Sequence, residues 1–321
     1  TPIKSSAASD VYKRQVMKRA LSLLLAAVLC TGMFAGCAGT ENTSSTAAST
    51  AEESKAEESK TEESAADATA DLSGTVSTNG STSMEEVMMG LTEYFKEKYP
   101  NVTVTYDPTG SGTGIQQATA GSCDIGLSSR ALKDEEKEAG VTETVVAKDG
   151  IAIVVNKENT VTELTVDQIT KIATGEITNW SEVGGADMEI AFIGREAGSG
   201  TRGAFEELTG TEDACSYNQE LTSTGAVRTA VSTTPGGIGY ISLSSLDDSV
   251  NALKVKADDA SPAVECSEET VLDGSYPIQR PFVFATKTDA PLSEAAQAFY
   301  DFALSAEAAQ IYSDAGVVPA N

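Results

Sequence analysis

The residues with chemistry to offer gather in three glycine–hydroxyl loops. Gly110-Ser111-Gly112-Thr113 and Gly198-Ser199-Gly200-Thr201 are the same tetrapeptide, and Gly80-Ser81-Thr82-Ser83 is a close variant. Each follows a segment patterned as a strand and precedes one patterned as a helix. A helix N-terminus presents free N–H groups and the positive end of its dipole. Glycine lets the backbone approach a ligand closely, and Ser and Thr hydroxyls add donors. Three converging loops of this kind would enclose a tetrahedral oxyanion without a metal. A single Gly-Ser loop is usually only a turn, and a single arginine such as Arg195 is usually a surface ion pair. Three such loops ahead of helices, one of them beside Arg195, favour the anion site.

Other chemistries find less support. The chain has no histidine, so the usual general base and the commonest transition-metal ligand are missing. Gly194 to Thr201 carries no lysine before its Ser/Thr and is not a Walker A loop. No G-x-G-x-x-G follows a strand. Ser199 is not a nucleophile elbow, because Ala197 stands where the first glycine would. No catalytic residue, metal or cofactor is therefore expected. The formal net charge of -26 argues against nucleic acid as a partner. Any bound anion must be held by local donors against that field.

The elements that must position the loops alternate between strand and helix, the pattern of an α/β fold. Leu72–Thr78 reads as a strand, and Ser83 with Glu86 as a capping box. Met84, Val87, Met88, Leu91 and Phe95 follow at helical spacing and read as core. Further strands are expected at Val102–Tyr106, Asp124–Leu127 and Glu189–Ile193. Helices are expected from Ile115, over Val166–Ile172, over Glu294–Ser305 and over Glu307–Ala315. A helix over Arg202–Leu208 should turn Phe205 and Leu208 inward. Val145–Val155 and Pro281–Thr286 are candidate crossing strands, which implies two lobes with a ligand cleft between them.

Residues 1–16 read as a non-native leader. Residues 17–36 read as a secretory signal, with Lys18 and Arg19 before the short apolar core Ala20–Phe34. Phe34-Ala35-Gly36-Cys37 resembles a bacterial lipobox, which implies a lipidated Cys37. Residues 37–71, rich in Ser, Thr, Ala and Glu, read as that anchor and a flexible spacer. The expected globular division is 72–149 for the first part of lobe I, 150–279 for lobe II and 280–321 for the rest of lobe I. Cys123, Cys215 and Cys266 allow one disulfide without choosing it, and Cys123 reads as a small buried residue.

Several separated segments together resemble the phosphate-binding proteins of bacterial Pst-type ABC transporters. They are G-S-T-S at 80, G-S-G-T-G-I at 110, D-I-G-L-S-S-R at 124, G-E-I-T-N-W at 175, R-E-A-G-S-G-T at 195 and P-G-G-I-G-Y at 235. The resemblance implies a two-lobed type II periplasmic-binding-protein fold with a hinged cleft. It implies an exported, lipid-anchored monomer on the outer face of the cytoplasmic membrane, handing inorganic phosphate to permease subunits. By position, Thr82 would donate its hydroxyl and Ser83 its backbone N–H. Ser111, Arg195, Ser199, Gly200 and Thr201 would complete the contacts. Where the family carries an Asp that accepts a phosphate proton, this chain has Ser129 followed by Arg130. A neutral Ser129 oxygen still offers an acceptor, and Arg130 is expected to add a second cation. The family's second Asp is Ala197 here, beside Glu196. Sulfate or a metal oxyanion stays open as the ligand. A phosphate-ester hydrolase and a surface sensor or adhesin stand further back.

Overall fold

A computed structural model of the chain describes residues 72–320. The expected leader, signal peptide, Cys37 anchor and spacer lie outside the described residues. In the first half, β1 (Gly74–Gly80) lies parallel between β2 (Val102–Asp107) and β3 (Ile125–Ser128). Helices α1 (Glu85–Lys98) and α2 (Ser111–Ala120) connect them, and the short α3 (Asp134–Glu138) follows. Next comes β4 (Val141–Val155), then β5 (Glu163–Thr165) and α4 (Val166–Thr174). The second half continues with β6 (Ala191–Arg195), α5 (Gly200–Thr209), β7 (Gln219–Leu221), α6 (Thr224–Thr233) and β8 (Gly237–Ser242). Strand β6 is parallel to both β7 and β8. The short strands β9 (Asn251–Ala252) and β10 (Lys254–Lys256) precede α7 (Glu268–Leu272). The chain closes with β11 (Gln279–Lys287), α8 (Glu294–Ala303), α9 (Ala309–Asp314) and β12 (Val318–Pro319).

The main path through the sheet is β2-β1-β3-β11-β4-β8-β6-β7. Two parallel blocks thus flank an antiparallel pair, β11 and β4. Strand β4 pairs with β11 from Val141 to Gly150 and with β8 from Ile151 to Val155. At 15 residues it reaches roughly 50 Å and serves both halves. It is the expected crossing strand, begun four residues earlier than the apolar run suggested.

Two large apolar clusters lie on either side of the changeover. One holds Met84, Met88, Phe95, Phe284 and Phe299, with Phe95 and Phe299 edge to face at 5.2 Å. The other holds Trp180, Phe192, Phe205 and Tyr240, with Phe205 stacked on Tyr240 at 4.2 Å. Burying each such ring contributes about 1.5–3 kcal/mol. The architecture is a two-lobed α/β fold, with lobe I around the first cluster and lobe II around the second.

The methionine stripe is core as its spacing predicts, since Met84, Val87, Met88, Leu91 and Phe95 are fully buried. Two local readings change. The first N-cap is Ser81, whose side chain accepts from Ser83 N–H, and a 3-10 turn Thr82–Met84 precedes α1. On α5 the inward stripe runs Thr201, Phe205, Thr209 at i, i+4 spacing. Leu208 lies one position off that stripe and is 40% exposed. Cys123, Cys215 and Cys266 are all free thiols, and burial pushes the Cys123 thiol up to about 11.

Candidate anion site

Four turns converge where the lobes meet. They are the 3-10 turn at Thr82 and the N-termini of α2, α5 and α6. The α2 entry depends on Gly110, whose φ of 96° is a conformation that favours glycine. It sets Ser111 as the first helical residue. The Ser111 hydroxyl accepts from Ser129 N–H at 3.1 Å and lies 3.3 Å from Ser129 Oγ. Both serines are buried. At α5, Ser199 is the N-cap and accepts from Arg202 N–H at 3.3 Å. Gly200 then lies against lobe I. A Cβ there would fall 2.8 Å from Ser111 Cβ and from Ser129 Oγ, and nearer still to Ser111 Oγ.

Hydroxyls from both lobes interlock at this point. Ser83 Oγ shares hydrogen bonds with Thr201 Oγ1 at 2.7 Å and with Thr224 Oγ1 at 3.1 Å. Thr82 Oγ1 lies 3.2 Å from Thr224 Oγ1 and accepts from Thr224 N–H at 3.3 Å. Gly112 N–H donates across the cleft to Gly198 O at 3.0 Å. The lobes are closed on one another.

Arg195 ends β6 and is 1% exposed. Its NH1 donates to Thr224 Oγ1 at 3.1 Å. Its Nε and NH2 form a two-pronged pair with Glu196, at 3.1 and 2.9 Å. Nε and NH2 also reach the carbonyls of Leu221 and Thr222. The cation is therefore locked in place, and its charge reaches the hydroxyl cluster through NH1. Glu196, the neighbour of Ala197, is the carboxylate that holds it. Tyr240, whose hydroxyl accepts from Arg195 N–H, is kept protonated because burial pushes its phenol well up.

Thr82, Ser83, Ser111, Ser129, Arg195, Gly200 and Thr201 all come together here. Ser199 stands beside them as a cap. Ser83 takes part through its hydroxyl, because Ser81 occupies its N–H. Arg130 is engaged outside the hydroxyl cluster: NH1 and NH2 form a two-pronged pair with Glu136 at 2.8 and 2.7 Å. Burial alone would raise the Glu136 carboxyl, but the bonds from Arg130 and from Lys133 N–H outweigh it and hold it low. Arg130 thus lines the outer mouth, a cavity of about 530 Å³ that reaches Gly112 and Ser199 of the loops and is shared with Arg202 and Glu206. Arg202 there is paired with Glu206.

Sequence reasoning missed Thr224, which is 2% exposed and at the centre of the cluster. The signal was present. Ser223-Thr224-Gly225 is a further small hydroxyl loop, and Ala226, Val227, Ala230 and Val231 follow at helical spacing. Ser223 caps α6 by accepting from Ala226 N–H. Among the described residues no cluster of His, Cys, Asp or Glu is suited to a metal.

Hydroxyls and one fixed guanidinium, closed between two lobes, define a solute-binding protein for a small oxyanion. A model of the PBP superfamily domain matches residues 43–307. The phosphate-binding protein PstS of Bacillus subtilis is 32% identical over 310 residues, covering 94% of each chain. That of Borreliella burgdorferi is 31% identical over 253 residues, 75% of this chain and 88% of that one. Among solved structures, a phosphate ABC transporter substrate-binding protein from Clostridium perfringens, with bound phosphate, has a TM-score of 0.73 and 41% identity. It covers 77% of this chain and 100% of that chain. An ABC-type phosphate transport receptor from Vibrio cholerae has a TM-score of 0.62 and 33% identity over 76% of this chain and 99% of that chain. This chain belongs to the phosphate-binding protein family of the PBP superfamily.

Proposed function

We propose that this protein captures inorganic phosphate between its lobes and delivers it to the permease of an ABC transporter. The observation that carries this reading is the buried Arg195 guanidinium facing hydroxyls drawn from both lobes. A buried anion needs its charge balanced, and a guanidinium supplies fixed, directional donors. The hydroxyls of Thr82, Ser83, Ser111, Thr201 and Thr224 can turn their protons toward phosphate oxygens. Ser129, as a hydroxyl, can donate to one oxygen or accept from a protonated one. Binding is the role; no group here acts as nucleophile or base.

Contacts from both lobes make the ligand favour the closed state by its differential affinity. Calorimetric titration of ligand-stripped protein with phosphate, then sulfate, tests the reading. A single phosphate per chain is expected, with weaker sulfate binding. Absence of binding heat with phosphate at millimolar concentration would sink it. Small-angle scattering on the same samples should show compaction with phosphate.

The lipobox-like Phe34-Ala35-Gly36-Cys37 supports export and a lipid anchor at Cys37, with residues 38–71 as a tether. Cys37→Ser should release the protein from the membrane fraction of an expressing bacterium. Unchanged membrane retention would remove the anchor.

A further inference from the structure

Asp149 and Arg280 form a buried ion pair where the two crossing strands change over, and anion binding as described makes no use of it. They are register partners on β4 and β11. Arg280 Nε and NH2 donate to Asp149 Oδ2 at 3.0 and 2.8 Å, with side chains 1% and 0% exposed. Among the described residues, Arg280 NH1 is the buried side-chain polar atom with no hydrogen-bond partner. Burial lowers the Arg280 cation from its usual range, and nearby Arg195 adds to that push. Such a pair stabilises a fold little more than apolar residues of the same size would. Its position offers a better reason for it.

From Asp149 a chain of hydrogen bonds leads to the anion site. Asp149 Oδ1 accepts from Ser242 Oγ at 2.9 Å. Ser242 Oγ in turn accepts from Ser244 N–H at 3.3 Å. Ser244 Oγ donates to the Ser83 carbonyl at 3.0 Å. Each hydroxyl has one proton. Ser242 gives its proton to Asp149, and the backbone N–H of Ser244 holds the turn against Ser242. That leaves the Ser244 proton for either Ser242 Oγ, 2.7 Å away, or the Ser83 carbonyl. The last link joins the turn after β8 to lobe I in this closed arrangement.

We propose that the Asp149–Arg280 pair is a positioning clasp, which fixes Ser242 and, through Ser244, sets Ser83 in the closed anion site. The proposal rests on the phosphate reading above. Both residues sit on the strands that join the lobes, so the clasp ties the geometry of the crossing to that of the cluster.

The test compares phosphate affinity by calorimetry with the melting temperature of the unliganded protein. Ser244→Ala should weaken phosphate binding about three- to tenfold, the worth of one hydrogen bond, without lowering the unliganded melting temperature. Ser244→Thr should keep near wild-type affinity. Asp149→Leu with Arg280→Met replaces the ion pair by apolar side chains and should weaken binding about tenfold or more while the protein still folds. Wild-type affinity within about twofold in either Ser244→Ala or the folded double variant would overturn the clasp. Equal losses in Ser244→Ala and Ser244→Thr would assign the effect to packing and overturn it too. Should the double variant fail to fold, the Ser244 pair decides alone. A wild-type protein that takes up no phosphate is a different failure, that of the binding reading itself.

Discussion

The tetrapeptide Gly-Ser-Gly-Thr occurs once in each lobe, and the two copies enter their helices one residue out of step. In lobe I the helix starts at Ser111, with Gly110 as N-cap. In lobe II it starts at Gly200, with Ser199 as N-cap. The cause lies in what precedes each loop. Gly110 N–H is tied to Gly80 O, and its positive φ turns the chain in early. Ser199 N–H instead closes a turn onto Glu196 O. Lobe I therefore turns its serine hydroxyl toward Ser129 rather than into a helix cap, while lobe II uses its serine to cap and presents bare backbone at Gly200. Identical residues become a hydroxyl surface on one side and the glycine that fits against it on the other.

The largest effect should come from the cation that only lobe II supplies. Arg195→Ala is expected to weaken phosphate binding by about 2–5 kcal/mol, the range for losing one partner of a buried charge pair. Calorimetry checks this, and a loss below about 1 kcal/mol would mean that the hydroxyls alone hold the anion.

The glycines separate the two loops next. Gly200→Ala pushes a methyl into Ser111 and Ser129, so closure should fail and affinity drop more than about tenfold. Gly112→Ala meets the Gly198 backbone no closer than 3.4 Å, at its O, and should stay within about threefold. Scattering should show the first variant remaining expanded with phosphate present. Equal behaviour of the two would erase the difference in register.

The serines divide in a different currency. Ser199→Ala removes a helix cap and should cost about 1 kcal/mol of stability, read from denaturant unfolding. Ser111→Ala should act mainly on phosphate affinity, by about 0.5–1.5 kcal/mol. The reverse assignment would show Ser199 to be the ligand and Ser111 the structural residue.

The smallest effect belongs to the mouth. The Glu136 carboxyl is held below its usual range, so its stabilising contribution is complete above the unfolded pKa. It is lost as pH falls through the folded one. Glu136→Gln should lower stability by at most about 1 kcal/mol at neutral pH, and the deficit should vanish in acid. Phosphate affinity should hardly move. A large affinity change would bring Arg130 back toward the anion.

Much of this was legible in the residues because it depends on short-range patterns. The apolar stripe from Met84 to Phe95 has helical spacing, and it is core. The run Val145–Val155 announced a crossing strand, and its stretch Ile151–Val155 is buried on both faces as the middle of a sheet is. Positions in the site were harder to assign. Arg130 follows Ser129 directly, yet its fork matches the Glu136 carboxylate six residues on and turns outward to meet it. Glu196 was adjacent to Arg195, and only the turn at Glu196–Ser199 brings its oxygens onto the guanidinium. Thr224 lies 142 residues from Thr82, a separation that no spacing rule spans.

The sequence by itself determined the α/β order, the loops able to meet an anion, and the absence of histidine chemistry, because composition and local periodicity carry these. Tertiary structure alone decided which serine caps and which faces the cleft. It decided which arginine is held inside, and it placed Asp149 and Arg280 together. Those outcomes depend on contacts between strands and lobes far apart in the chain, where one residue of helix register or one nearby carboxylate changes where a side chain points.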